Sequence, residues 1–247
     1  MDEGLDLTVK DRVAWITLAR PEKLNALTPE MLYSLRRIFA AVDDDPDICV
    51  VVLRGAGDRA FCAGMDLGWS GSLTNAERVE QGRLGEKTFA MMERLSIPVF
   101  AAVHGYAVGG GLELALGADF IVAHENARLG LVEITLSARP PYRPKLTDDG
   151  DPDQPRYGGN APGWGGTKRL PQRIGNARAK QMLFTGVRVD ARQAQRFGLV
   201  NEVFQADEFD DGVAGLAERI AAMNRYNLRL VKELVTGGYD WIEPHPA

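Results

Sequence analysis

Apolar runs too short to be anything but buried strands, alternating with helical stretches, most constrain how this chain can fold. The runs ICVVVL (48–53), IPVFAAV (97–103) and FIVA (120–123) read as strands. TPEMLYSLRRIFAAV precedes the first, with Thr28 placed to cap, Pro29 at the first helical position, and Met31, Leu32, Leu35, Ile38, Phe39 and Val42 at helical spacing. A second helix is expected over 75–95, and a third opens at the glycines of AVGGGLEL. LDLTVKDRVAWITL alternates around KDR like an antiparallel hairpin, and ARLGL reads as another short strand. The fold class is therefore α/β. From residue 176 onward NARAKQMLFTG, DARQAQRFG and DEFDDGVAGLAERIAAM read as helices, which divides the chain into a core over 1–175 and a helical C-terminal region over 176–247.

Composition removes several function classes. A net charge of -5 with only short basic clusters argues against nucleic acid or an anionic membrane as partner. The two cysteines, Cys49 and Cys62, have neither disulfide-framework nor metal-ligand spacing, and His124 and His245 lack ligand neighbours, so no metal is expected. The acidic start MDEGLDLTVK lacks an apolar signal core, and no apolar run approaches the roughly 20 residues that span a bilayer, so a cytoplasmic location is expected. Residues 137–162 hold six of the 13 prolines among mixed charges, and are expected to form a long exposed loop.

The chemistry concentrates in HGYAVGGGLELALGADF (104–120). Three glycines at a helix start favour close backbone approach over helix stability, and Glu113 follows among leucines and alanines, where a carboxylate needs a partner. AFCAGMDL (60–67) is a second strand-to-loop passage of small residues. Backbone N–H groups from the two loops converging on one oxygen would stabilise developing negative charge, although each loop alone is equally an ordinary tight turn. A cysteine hydrolase built on Cys62 and His104 needs a base within reach of the thiol, and a dinucleotide-binding reading of GGGLEL fails at Leu114, where its third glycine belongs.

These loops, together with RPEKLNAL (20–27), GGTKRLP (165–171) and GLVNEV (198–203), resemble in order and spacing the signatures of the crotonase superfamily, the enoyl-CoA hydratase/isomerase family. The resemblance runs from about residue 7 to about residue 233 and implies a spiral of repeated ββα units with a helical C-terminal region. It also implies an enzyme that hydrates a 2-trans-enoyl-CoA to the 3-hydroxyacyl-CoA; the alternatives are an isomerase, another acyl-CoA reaction of the superfamily, or a weakly active acyl-CoA-binding homologue. By family analogy the N–H groups of Met65 and Gly110 hold the thioester oxygen, Glu113 activates water, and Glu133 in LGLVEI protonates the α-carbon. Lys23, Leu24, Ala26, Ala63, Gly64, Asp66, Leu67 and Gly109 are the implied substrate-binding positions. No cofactor is implied, since coenzyme A enters with the substrate, and a homo-oligomer, trimer or hexamer, is expected. Three departures stand out: Val132 replaces the usual proline, the interval from Glu133 to Gly165 far exceeds the usual length of about a dozen residues, and relatives usually continue beyond WIEPHPA. A different pocket roof and different subunit contacts are therefore expected.

Overall fold

Strand β1 (Leu5–Lys10) turns back as β2 (Val13–Leu18), an antiparallel hairpin in register from Leu5 opposite Leu18 to Lys10 opposite Val13. Its two-residue turn places Asp11 and Arg12 at positive φ, which matches the twist of the strands. This computed structural model describes residues 4–71, 73–137 and 161–237. Helix α1 (Pro29–Asp44) begins where the Thr28 side chain accepts a hydrogen bond from the Met31 N–H, and its six apolar positions named above are buried.

Three strand pairs follow, and in each the first strand enters one sheet and the second another. They are β3 (Val50–Gly55) with β4 (Ala60–Cys62), β5 (Val99–Val103) with β6 (Tyr106–Val108), and β7 (Phe120–His124) with β8 (Arg128–Gly130). Helices α2 (Leu67–Gly71) and α3 (Asn75–Glu93) follow β4, α4 (Gly110–Leu116) follows β6, and a 3-10 helix, Glu133–Ser137, follows β8. This is the expected ββα repeat. A reciprocal capping box between Thr74 and Glu77 starts α3.

Beyond the Pro-rich segment, of which 138–160 lie outside the described residues, come α5 (Gly166–Ile174), α6 (Asn176–Thr185), β9 (Val189–Asp190), α7 (Ala191–Phe197), β10 (Glu202–Phe204), α8 (Phe209–Ala221) and α9 (Arg225–Gly237). Helical structure thus begins ten residues before position 176, in a segment whose glycines and Pro171 hide its periodicity. Strands of two and three residues carry no alternation, which is why β9 and β10 were not apparent from sequence.

The large sheet has the order β1-β2-β3-β5-β7-β10, parallel after the first pair, and the small sheet the order β4-β6-β8-β9. Alternation through β3 divides the core. Val51 and Leu53 pack with α1, α3 and α4, while Val50 and Val52 meet Phe209, Val213 and Ala217 of α8 on the opposite face. Among the described residues no helix is long and apolar enough to cross a membrane.

Candidate active site

Parallel pairing of β4 with β6 and of β6 with β8 sets Cys62 opposite Ala107 and Val108 opposite Gly130. Three turns distant in sequence therefore leave the same edge of the small sheet, the edge at which α/β folds gather ligands. Between them, α3 and the Ala161–Gly166 segment lies a cavity of about 270 Å3. Its walls include Ala63, Gly64, Met65, Leu67, Gly109, Gly110, Glu113 and Glu133.

Lys23, Leu24, Ala26 and Asp66 are not among the residues that line that cavity, and of them Leu24 bonds directly to a lining residue. The Leu24 carbonyl accepts from the Ala63 N–H at 2.9 Å, and Leu27 N–H donates to the Gly64 carbonyl at 2.7 Å. Asp66 pairs with Arg20 at 3.0 Å and accepts from the N–H groups of Gly68 and Trp69, so its carboxylate is already engaged. Asn25 ties the same strip to the sheet by donating to the carbonyls of Ala56 and Ala60.

Each glycine of GGG answers a different demand. Gly109 has φ 55, a region an L side chain rarely adopts. A Cβ on Gly110 would sit 2.5 Å from Cζ3 of Trp164, and one on Gly111 would sit 2.1 Å from the Cys62 carbonyl oxygen. Gly64, at φ 96, brings the other loop so close that its Cβ would lie 3.1 Å from the Gly110 nitrogen. Among the described residues neither the Met65 nor the Gly110 N–H donates to a backbone carbonyl, and both residues border the cavity.

Glu113 is buried in α4, and its Oε1 accepts from the N–H groups of Trp164 and Gly166, each at 2.8 Å. Burial pushes its carboxyl up to about 7, against the opposing pull of those two bonds and of Arg169. Glu133 is likewise pushed up to about 7, by burial first and then by the charge of Glu113, and its Oε2 has no hydrogen-bond partner. Both carboxyl groups line the one cavity, where the charge of one raises the proton affinity of the other. The two hydrogen bonds to Glu113 favour its charged form, whereas Glu133 Oε2 has no such partner.

The Cys62 thiol is fully buried and pushed up to about 12, a poor nucleophile at neutral pH, which disposes of the cysteine-hydrolase arrangement. Among the described residues no cluster of three His, Cys, Asp or Glu is placed to hold a metal.

The family model for enoyl-CoA hydratase/isomerase matches residues 8–145 and 154–244. The chain belongs to the enoyl-CoA hydratase/isomerase family. It is 36% identical over 236 residues to a crotonyl-CoA hydratase of Syntrophomonas wolfei, covering 96% of this chain and 82% of that one. It is also 36% identical over 234 residues to an (E)-benzylidenesuccinyl-CoA hydratase of Thauera aromatica, covering 95% and 82%. The crystal structure of an enoyl-CoA hydratase from Bacillus anthracis superposes with a TM-score of 0.84 at 34% identity, covering 95% of this chain and 83% of that one.

Sequence reading missed the groups that hold this family member's first glutamate in place. Trp164 is buried, its indole N–H donates to the Gln81 carbonyl at 3.2 Å, and its ring meets Phe89 edge-on. Arg169, 2% exposed, donates to the Trp164 carbonyl at 2.7 Å and pairs with Glu93 of α3 at 2.8 Å. The advance signals were GWGG (163–166), an aromatic residue among glycines at the end of the Pro-rich segment, and the family-like GGTKRLP (165–171), which contains Arg169.

Proposed function

We propose that this enzyme adds water across the double bond of a 2-trans-enoyl-CoA to give a 3-hydroxyacyl-CoA. The observation that carries the reading is the pairing of buried Glu113 with half-buried Glu133 on one cavity, both pushed up to about 7. In the reaction Glu113 takes a proton from water as its oxygen bonds to C3, and Glu133 delivers its proton to C2. The electron pair of the C=C bond passes through the thioester as an enolate and returns to form the C2–H bond. Proton exchange between the two carboxyl groups then restores the starting state. The unengaged N–H groups of Met65 and Gly110 are the donors proposed for the enolate oxygen, where losing one such donor typically costs about 3–4 kcal/mol of barrier. The step is redox-neutral and both protons are accounted for, so the reading calls on no metal or redox cofactor. Coenzyme A is proposed to run past Lys23, Leu24 and Ala26, beside the Ala63 turn.

Purified protein, assayed with crotonyl-CoA by the loss of the conjugated thioester chromophore, tests the reading. Glu113→Gln and Glu133→Gln should each lower turnover by about 10² to 10⁴-fold while acyl-CoA affinity stays within a few-fold. Full turnover by both variants would overturn the assigned roles.

A further inference from the structure

One wall of the cavity is poorly suited to a plain hydrocarbon chain. Met65, Leu67, Val132, Leu136 and Trp164 supply apolar surface, but α3 faces them with Arg78, Gln81 and Gly82. Positions i, i+3 and i+4 share one helix face, and Gly85, a turn further on, lies under the Trp164 ring. Gln81 is 8% exposed, yet its side-chain amide hydrogen-bonds to none of the described residues; only its main-chain carbonyl is engaged, by Trp164. Gln81 lines the cavity, so its amide is open to a ligand oxygen.

Arg78 is half-buried and ion-pairs with no described carboxylate. Its acidic neighbours are committed elsewhere, Glu77 to the capping box with Thr74 and Glu80 to Arg83. The order along α3 orients these groups. Gly85 lies under the Trp164 ring and Gly82 beside the Gly163 carbonyl, next to the main-chain N–H of Trp164 that holds Glu113; Gln81 adjoins Gly82, and Arg78 lies about 6 Å back from Gly82 along the axis. The cation is thus at the far side of the amide from the catalytic carboxyl groups.

We infer that the acyl cavity takes thioesters whose acyl chain carries a carboxylate remote from the thioester, held by the Arg78 guanidinium and the Gln81 amide. This rests on the acyl-CoA reading above. An oxygen anion is the shared chemistry, and the phosphates of coenzyme A are its other source, so the test compares ligands that differ only in the acyl terminus.

Calorimetric titration of the intact protein uses two saturated pairs that cannot be hydrated, glutaryl-CoA against pentanoyl-CoA and adipyl-CoA against hexanoyl-CoA. In at least one pair the carboxylated member should bind roughly tenfold tighter, the scale of a charge-assisted hydrogen bond. Arg78→Met should bring that ratio close to one, and Gln81→Glu, which adds a like charge, should invert it. If Arg78→Met weakens both members of a pair equally, Arg78 serves the coenzyme phosphates and the inference falls. It falls also if the wild type binds the uncharged members as tightly or more tightly. Hydration of crotonyl-CoA and of glutaconyl-CoA is scored separately: a carboxylate preference without turnover of either upholds this inference and removes the hydratase assignment, whereas failure of all four saturated thioesters to bind removes both.

Discussion

Replacing Glu113 by Gln should make the protein more stable at alkaline pH while nearly abolishing turnover. Gln retains an acceptor oxygen for the Trp164 and Gly166 N–H groups, which now approach Oε1 at 2.8 Å, but offers no basic oxygen to water. The catalytic loss of about 10² to 10⁴-fold corresponds to roughly 3–5 kcal/mol of barrier. The stability gain follows from the raised carboxyl, which moves from 4.5 to about 7 on folding. Over that window the folded protein retains a proton that the unfolded chain has released, so stability falls as pH rises and the loss is complete above about 7. A gap of about 2.5 pH units corresponds to roughly 3 kcal/mol. The variant escapes this cost, and Glu133 is freed from a repelling charge. Urea denaturation of both proteins at pH 5 and pH 8, alongside the crotonyl-CoA assay, measures the effect. The expected result is an advantage for the variant at pH 8 that shrinks towards pH 5. An advantage that is absent, or no larger at pH 8 than at pH 5, would refute the argument that Glu113 is held ionised at a cost in the folded protein.

Because both carboxyl groups lie near 7, kcat/KM should follow a narrow bell centred there, falling in acid as Glu113 protonates and in alkali as Glu133 ionises; Glu133→Gln should lose the alkaline limb along with most of the rate. Arg169→Met removes charged hydrogen bonds to Trp164 and Glu93, so thermal or urea unfolding should register a loss of about 1–3 kcal/mol. It also removes a charge that lowers Glu113, and the acid limb of the profile should move to higher pH; an unmoved limb would deny Arg169 that electrostatic role. Gly110→Ala sets a methyl 2.5 Å from the Trp164 ring, and overpacking of this kind typically costs about 1–3 kcal/mol. Since the displaced backbone carries a proposed enolate donor, kcat should fall more than acyl-CoA affinity, which steady-state kinetics beside calorimetry would reveal.

Much of the site was legible because its chemistry is written in local signals. A glycine run at a helix start, a glutamate among leucines and a second small-residue turn after a strand each violate a local preference, and such violations survive in a linear reading. Trp164 and Arg169 violate nothing locally. Their roles exist only because α5 returns to α3 and α4 after the long Pro-rich segment, so that a backbone N–H near residue 164 meets a carboxylate at 113. Arg78 and Gln81 carry no signal in the sequence beyond a helix expected over 75–95, and only the packing of Gly82 and Gly85 against the site turns that face inward.

By itself, then, the sequence determined the alternation of strand and helix, the hairpin, and the first helix with its cap, since each depends on contacts within a few residues; Glu113 stood out locally as a carboxylate among leucines, whereas Glu133 was a candidate only through the family resemblance. Tertiary structure alone decided that the odd and even residues of β3 serve different halves of the core, that parallel pairing of β4, β6 and β8 delivers three turns to one edge, and that two carboxyl groups twenty residues apart share one cavity. The elevation of both carboxyl groups is a property of that arrangement, because desolvation and mutual repulsion depend on what surrounds a charge in space and leave no trace in its sequence neighbours.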